Sequence, residues 1–182
     1  MNLAFNFHDK LFWIHNFLPE KLYKEMYKDF IKNRNKLNFQ PTRVMWKTFK
    51  EETDNMSKSF DQANLIRHNF FEKYHTFLHH QKFVNLIGHK MQSHLRKYEL
   101  NQHTTWHSDI EDNRTYGATY YFNHRWGESW GGEFMFKSKE GSGFIPIVGN
   151  SIIIVKIGLV HKVNSVLKKT HNRFSIQTFL NK

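Results

Sequence analysis

Three side chains in the second half of the chain are of the right types to hold a metal ion. His107 and Asp109 lie two residues apart, and residues two apart in an extended strand point to the same side. His161 follows the apolar run at 152–155 and would come from a neighbouring strand. Two imidazoles and one carboxylate form a facial triad on iron(II), which leaves three adjacent positions open. Taken singly, each residue also fits a structural role, such as that of a hydrogen-bonded strand histidine.

A cation follows twelve residues after the second histidine. Strand alternation puts Arg173, Ser175 and Gln177 on one face, and Phe174 and Ile176 on the other. A guanidinium on an inward face is costly to bury unless it meets an anion. The sequence therefore predicts that Arg173, with the Ser175 hydroxyl, binds the far carboxylate of a dicarboxylate through two parallel hydrogen bonds. On an edge strand, Arg173 would instead lie in water.

The order and spacing of these residues resemble the 2-oxoglutarate/iron(II) dioxygenase superfamily, and most closely its prolyl 4-hydroxylase-like branch. The family pattern is His-X-Asp, a distal His, and then an Arg or Lys followed two positions later by Ser or Thr. Further segments also fit: 119–123 resembles the second core strand, 130–134 the Gly-Gly-Glu turn, and 149–153 the strand that leads to the distal histidine. The resemblance covers about residues 98–180 and implies that His107, Asp109, His161 and Arg173 are the catalytic set.

The resemblance implies cofactors and further site residues. Iron(II) would be the metal, 2-oxoglutarate and O2 the co-substrates, and the need for ascorbate stays open. Tyr121 and Thr119 match a strand that contacts 2-oxoglutarate, and Tyr98 lies near the position of a tyrosine that lines the same pocket. Halogenating relatives have a small residue where this chain has Asp109, so hydroxylation is expected. The chain departs from the family at His103, where relatives commonly have an aromatic residue such as tyrosine, and this puts contacts along that segment in doubt.

A prolyl residue of a protein or peptide is the expected substrate, with succinate and CO2 released. Two loops could meet it, one with Trp46 and the other with Arg125, Trp126 and Trp130, although these aromatics could equally cap the core. The same chemistry on a nucleic acid or a small metabolite is the alternative. Repair enzymes for alkylated nucleic acids typically have a second Arg six residues after the first, where this chain has Phe179.

The elements that position these residues divide the chain into two parts. Pro19 and Glu20 suit a helix start, and the spacing of Leu22, Met26 and Phe30 predicts a buried helix face. A second helical stretch is predicted from residue 61 to about 88, with Gly88 as its stop. Beyond residue 100, turn signals that include Gly141 and Gly143 separate short β-rich segments. The predicted strands are 103–109, 115–122, 133–136, 151–157, 160–163 and 173–180.

This pattern predicts an α+β fold in a single domain spanning 1–182. By the resemblance, residues 101–182 form a double-stranded β-helix, or jelly roll, that carries the metal site. Residues 1–100 are expected to be mainly helical and to support one sheet. A length of 182 residues is too short for two ordinary domains.

Composition limits the class of protein. The chain has no cysteine, which excludes disulfides and thiolate-held metals. The sequence has no apolar run near the roughly 20 residues that cross a bilayer and no secretory pattern at its start, so a cytoplasmic location without a membrane is expected. The oligomeric state is not indicated.

The formal charge of +11 favours an acidic partner such as nucleic acid. The abundance of Lys, Asn, Ile and Phe, which an AT-rich coding genome produces, explains the charge as well. A non-catalytic basic module that stacks on single-stranded nucleic acid is the rival of another class. Its aromatic residues should alternate with basic ones, whereas most aromatics here lie in apolar segments.

Overall fold

The computed structural model of the chain describes residues 1–37, 39–41, 58–60, 70–110 and 113–182. In these parts the chain forms two α-helices, α1 (Glu20–Asn33) and α2 (Phe70–His79), and two short 3-10 turns at Arg34–Lys36 and Glu128–Trp130. The strands are β1 (Asn2–Phe7), β2 (Leu11–His15), β3 (Gln40–Pro41), β4 (Lys58–Phe60), β5 (Lys90–Tyr98), β6 (Arg114–Tyr121), β7 (Phe134–Ser138), β8 (Gly141–Ile145), β9 (Ile152–Lys156), β10 (Val160–Val163) and β11 (Arg173–Asn181).

The strands form two antiparallel sheets. The large sheet has the order β1-β2-β9-β6-β11-β5-β4-β3, and the small sheet has the order β10-β7-β8. An apolar cluster contains side chains of both sheets and holds them face to face. Its buried members are Leu11, Tyr121, Phe134, Phe136, Ile145, Ile147, Ile153, Val155 and Leu159. The predicted jelly-roll core is thereby confirmed.

The helices cover the other face of the large sheet, as predicted. Helix α1 starts directly after Pro19, and its buried residues are Tyr23, Met26 and Phe30, whereas Leu22, predicted on this face, is only half-buried. The Phe30 ring lies 5.0 Å from that of Phe122 and 4.9 Å from that of Phe174, measured between centroids. Because Phe174 packs against α1 on one face of β11, the site lies on the opposite face of this strand.

Strands occupy more of the first hundred residues than the predicted, mainly helical arrangement allows. The hairpin β1–β2 joins the large sheet through β9, and β5 pairs along its whole length with β11. Short apolar runs such as 11–14 cannot be assigned to helix or strand by periodicity alone. Of the predicted helical stretch 61–88, residues 61–69 lie outside the described parts and helix α2 ends at His79. Gly88 has a φ of +80° and comes just before β5, so it does not end a helix.

The second half matches five of the six predicted strands within a few residues. The prediction of a strand at 103–109 was wrong, because only His107 forms a bridge there, with His161. The prediction that Gly141 and Gly143 mark turns holds for Gly141, which directly follows the two-residue turn between β7 and β8 and has a φ of +140°, but it was wrong for Gly143, which lies within β8. A Cβ at Gly143 would lie 2.9 Å from the Phe136 ring, so close packing rather than a turn favours glycine at that position.

A chain of hydrogen bonds joins α2 to the large sheet. His75 Nε2 lies 2.7 Å from Ser93 Oγ, which lies 2.8 Å from Thr178 Oγ1, and the latter lies 3.0 Å from the Tyr74 hydroxyl. Burial lowers the pKa of His75 to about 4, with a further contribution from the charge of His79. The folded protein therefore holds this imidazole neutral.

This histidine gives a pH-dependent stability. Its pKa is 6.5 in the absence of the fold and about 4 within it, so between these values the unfolded chain binds more protons than the native one. We expect the free energy of unfolding to fall as the pH drops through this window, and to fall less steeply in His75→Gln. Denaturant titrations across the window measure the slope. The exposed His80→Gln is the control, and the same slope in all three proteins would contradict the assignment.

Candidate metal centre

The fold brings the three predicted metal ligands together. His107 and His161 exchange two backbone hydrogen bonds of 2.9 and 2.8 Å, which fix the segment before Asp109 against β10. One ligand atom from each of the three side chains lies within 4.8 Å of the others. All three are buried, with exposed fractions of 3%, 4% and 6% for His107, Asp109 and His161. Backbone pairing across β10, rather than the predicted regular strand, therefore sets their convergence.

Each imidazole is held by a backbone carbonyl on the side away from Asp109. His107 Nδ1 donates to the carbonyl of Thr105 at 2.7 Å, and His161 Nδ1 donates to that of Leu159 at 2.9 Å. A carbonyl only accepts, so Nδ1 carries the hydrogen in both rings and Nε2 is directed to the carboxylate. Metal-binding histidines are commonly oriented in this way.

The electrostatics of this cluster favour a protonated His161 beside an ionised Asp109. Burial, and after it the charge of His161, lowers the pKa of His107 to about 4, so that ring is neutral near pH 7. Burial works against the charged form of His161, but the hydrogen bond to Asp109, the charge of Asp109 and the hydrogen bond to the Leu159 carbonyl together outweigh burial and raise its pKa. Burial likewise opposes ionisation of Asp109, yet the hydrogen bond and charge of His161 lower its pKa. A metal ion would take the place of the shared proton.

The donor set fits a metal ion. His161 Nε2 lies 3.5 Å from Asp109 Oδ2, and His107 Nε2 lies 3.6 Å from Asp109 Oδ1. Among the described residues, Asp109 Oδ1 has no hydrogen-bond partner although it is buried, and an orphaned buried carboxylate oxygen is costly. Two imidazole nitrogens and one carboxylate are the facial set of non-haem iron(II) sites.

Arg173 lies in the same interior with its charge uncompensated. It is 1% exposed, and its Nη atoms donate to Ser175 Oγ at 3.2 Å and to the Tyr121 hydroxyl at 3.4 Å. Its guanidinium lies 4.6 Å from the centre of the Tyr98 ring. Within the described parts of the chain, Arg173 Nε has no partner and no carboxylate pairs with this arginine. A buried, unpaired guanidinium fits an anionic ligand.

One cavity connects the two charged groups. Its lining includes both histidines, and the inward alternation predicted for Arg173, Ser175 and Gln177 is confirmed by their places in it. Thr119, predicted beside the co-substrate, also lines it. The described residues around it are Arg96, Tyr98, Thr104, His107, Thr119, Phe134, His161, Val163, Arg173, Ser175 and Gln177. The arrangement therefore places a metal-binding set and an anion-binding cation in one buried space.

Sequence reasoning missed polar groups at this cavity. Arg96 lies opposite Ser175 in the β5–β11 register, and its Nε donates to Gln177 Oε1 at 3.0 Å. Recognising β5 as a strand that alternates inward at Arg96 and Tyr98 would have found it. Arg114 was also missed. Its guanidinium lies 3.7 Å from the centre of the Phe179 ring.

The predicted substrate residues lie elsewhere. Trp126 donates its indole hydrogen to the Gly131 carbonyl at 2.8 Å and packs in the core, and the Trp130 ring lies 4.0 Å from that of His171. Arg125 lines a wider groove of about 810 Å³ beside α1. Trp46 falls outside the described residues. None of the three described residues lines the metal cavity, as far as its described lining shows, so their substrate role stays a prediction.

Comparison with known families decides what kind of site this is. Residues 93–181 match the family model described as the 2OG-Fe(II) oxygenase superfamily. This segment belongs to that superfamily. It contains all three candidate metal ligands as well as Arg173. The resemblance seen in the sequence is therefore confirmed, and iron(II), 2-oxoglutarate and O2 are the cofactors of this oxygenase segment.

Solved structures share the fold across nearly the whole chain. A prolyl-4-hydroxylase from Pseudomonas putida is 15% identical, with a TM-score of 0.67 over 95% of this chain and 92% of that one. A prolyl hydroxylase from Trichoplax adhaerens, in complex with a peptide fragment of a hypoxia-inducible-factor oxygen degradation domain, is 13% identical, with a TM-score of 0.70 over 94% of this chain and 83% of that one. At such low identity these likenesses show the fold alone.

The remaining findings concern curated relatives of the sequence and the two helices. No protein with curated annotation matches the sequence. Within the described parts of the chain, neither α1 nor α2 has the length and apolar character needed to cross a membrane.

A substitution at Gly132 tests whether close packing at this glycine holds the Arg173 side chain in position. Its φ is +79°, and a Cβ there would lie 3.1 Å from Arg173 Cδ and 3.1 Å from Ile147 Cδ1. We expect Gly132→Ala to strain the backbone by about 1–2 kcal/mol and to displace the guanidinium, which raises the KM for 2-oxoglutarate. Steady-state kinetics measure it. Gly158→Ala is the control, because it has a φ of +98° but open space around its Cβ. Equal KM values in the two variants would contradict this role.

Proposed function

We propose that the protein is an iron(II)- and 2-oxoglutarate-dependent dioxygenase that hydroxylates a prolyl residue of a protein or peptide. His107, Asp109 and His161 hold the metal, and Arg173 with Ser175 binds the far carboxylate of 2-oxoglutarate. The observation that carries the proposal is the buried, unpaired Arg173 in the same cavity as the two histidines. A dicarboxylate that reaches from the metal to this arginine would neutralise the guanidinium.

The residues of this chain have separate tasks in that reaction. When bound, iron(II) with 2-oxoglutarate activates O2, so that a substrate C–H bond becomes C–OH while 2-oxoglutarate becomes succinate and CO2. The carbonyls of Thr105 and Leu159 hold the imidazole rings in the orientation that presents Nε2. Tyr121 and Ser175 accept hydrogen bonds from Arg173 and fix the orientation of its guanidinium group. Phe134 and Val163 supply the apolar part of the described cavity lining.

The surroundings of Asp109 support a substrate of some size. A Cβ at Gly117 would lie 3.5 Å from Asp109 Oδ2, and Gly117 pairs with Phe179 across β6 and β11. Arg114 stacks on the Phe179 ring. An aromatic ring and a cation beside the carboxylate ligand suit a residue that enters from solvent within a longer chain. The prolyl assignment is supported further by the fold shared with enzymes described as prolyl hydroxylases.

The rival substrates find less support. A nucleic-acid binding module needs a set of exposed rings for stacking, whereas Phe5 and Phe144 are the only exposed Phe, Tyr or Trp rings among the described side chains. A small metabolite remains the alternative within the same chemistry. A cytoplasmic location stays a prediction.

Succinate formation tests the proposed function. Purified protein with iron(II), 2-oxoglutarate and air is incubated with a panel of proline-containing peptides and with matched peptides in which alanine replaces proline. We expect succinate to rise with one proline peptide, and that peptide to gain the mass of one oxygen atom. Succinate formation that no peptide stimulates, but a small metabolite does, would overturn the prolyl assignment and leave the oxygenase chemistry intact.

A further inference from the structure

A second pocket opens at the start of β6, and none of its described lining residues belongs to the metal cavity. It has a volume of about 560 Å³ and is lined by residues that precede β5, begin β6 and end β9 and the chain. Its cations are Arg114, Lys156 and Lys182, and its described lining contains no Asp or Glu. Such a concentration of one charge sign attracts an anion.

A buried histidine at this pocket lacks partners. His89 is 9% exposed, and among the described residues neither its Nδ1 nor its Nε2 has a hydrogen-bond partner. Its ring meets Tyr116 at a centroid distance of 6.2 Å, which gives packing but no hydrogen bond. In a neutral imidazole one nitrogen is a donor, and leaving a buried donor unsatisfied costs about 1–3 kcal/mol. An oxygen atom of a bound anion would satisfy it.

Two of the cations of this pocket, Lys156 and Lys182, are available to a ligand. Lys156 and Lys182 are exposed, and no described carboxylate pairs with either of them. The lining also includes Ile87, which is 75% exposed, and the partly buried Ile157. An exposed isoleucine beside lysines suits a peptide with apolar and acidic side chains better than a nucleic acid, which needs a free aromatic ring for stacking.

We propose that this pocket binds an acidic segment of the polypeptide substrate, with carboxylates received by His89, Lys156 and Lys182 and an apolar side chain packed on Ile87. Arg114 lines this pocket and lies against Phe179, whose strand partner Gly117 lies beside Asp109, so the pocket adjoins the candidate metal ligand Asp109. A substrate held here would continue towards the metal. The inference rests on the polypeptide substrate of the proposed function.

Direct binding tests the pocket without requiring turnover. A fluorescently labelled peptide with two glutamates and an isoleucine is titrated into the full-length protein, and anisotropy is compared with that of the peptide in which glutamines replace the glutamates. We expect the acidic peptide to bind roughly tenfold more tightly, and the difference to shrink as salt is added. Equal affinities for the two peptides would overturn the proposal.

Variants locate the binding. His89→Phe preserves the ring but removes both nitrogens, and the double variant Lys156→Gln/Lys182→Gln removes two charges. We expect each to lower affinity for the acidic peptide about fivefold to tenfold, with unchanged circular dichroism. Lys21→Gln, an exposed lysine on α1, is the matched control. Equal weakening in the control, or none in the pocket variants, would contradict the site.

A single-stranded oligonucleotide that displaces the acidic peptide only from proteins with the pocket intact would replace the polypeptide assignment by a nucleic-acid one. The outcome is separable from that of the proposed function. If the acidic peptide binds in a way that depends on the pocket residues but no peptide stimulates succinate formation, only the proposal of prolyl hydroxylation is contradicted. If peptides stimulate succinate formation equally whatever their charge, only the proposal of an acidic-peptide site in this pocket is contradicted.

Discussion

Replacing Arg173 by leucine is expected to abolish productive 2-oxoglutarate binding while leaving the ligand-free protein as stable as before, or more stable. The two effects differ in sign because the guanidinium is buried without a described carboxylate partner. Replacing such a buried charge by an apolar side chain commonly stabilises a fold, by up to about 1–4 kcal/mol. Its loss should cost the dicarboxylate about 3–5 kcal/mol of binding, which is roughly two to four orders of magnitude in affinity.

Calorimetry with 2-oxoglutarate and denaturant titration of the ligand-free protein measure the two effects. Arg173→Lys is the matched variant, since it keeps the charge but loses the planar fork, and we expect an intermediate affinity. Near-normal affinity in Arg173→Leu would show that another cation, such as Arg96, binds the carboxylate. A loss of several kcal/mol of stability in the ligand-free variant would show that Arg173 is structural.

The second large effect is expected for the metal ligands. His107→Ala should lower both iron(II) stoichiometry and succinate formation by more than roughly 100-fold, which exceeds the 10–100-fold effect of residues that only orient a ligand. The physical reason is that two remaining donors cannot complete the facial set, and the site is buried. Metal analysis after iron loading and a succinate assay check this outcome.

His103→Ala is the control for that experiment. His103 is only half-buried and lies outside the described lining of the cavity, and its Nδ1 meets the Asn101 carbonyl at 3.1 Å. We expect this variant to retain iron and turnover. Stoichiometric iron in His107→Ala, or its loss in His103→Ala, would refute the assignment of the ligands.

The sequence was enough to select the candidate metal ligands and Arg173, which the fold brings into one interior, because residue types, spacing and strand alternation are local. His107 and Asp109 converge with His161 even though the predicted strand at 103–109 is absent, since β10 supplies the backbone partner of His107. The sequence predicts which side chains of β11 point inward because polar and apolar residues alternate from Arg173 to Gln177. The jelly-roll core and its helical cover followed from the resemblance.

Other parts depended on pairing between distant segments. Strand β5 is not clearly apolar on either face, and only its register with β11 places Arg96 opposite Ser175. Gly143 was assigned to a turn because the close approach of the Phe136 ring, which favours glycine there, is a tertiary contact that the sequence does not show. The pocket at His89 joins residues before β5 with the last residue of the chain, and no periodicity predicts such a meeting.

Anaerobic titration of the iron(II)-loaded protein with 2-oxoglutarate tests the account most directly, because a 2-oxo acid chelated to iron(II) gives a visible charge-transfer absorption. We predict that the absorption saturates at one 2-oxoglutarate per chain, needs a far higher concentration in Arg173→Leu, and is absent in His107→Ala. A wild-type protein that shows no such absorption, or a His107→Ala variant that shows the same one, would contradict the assignment of this site.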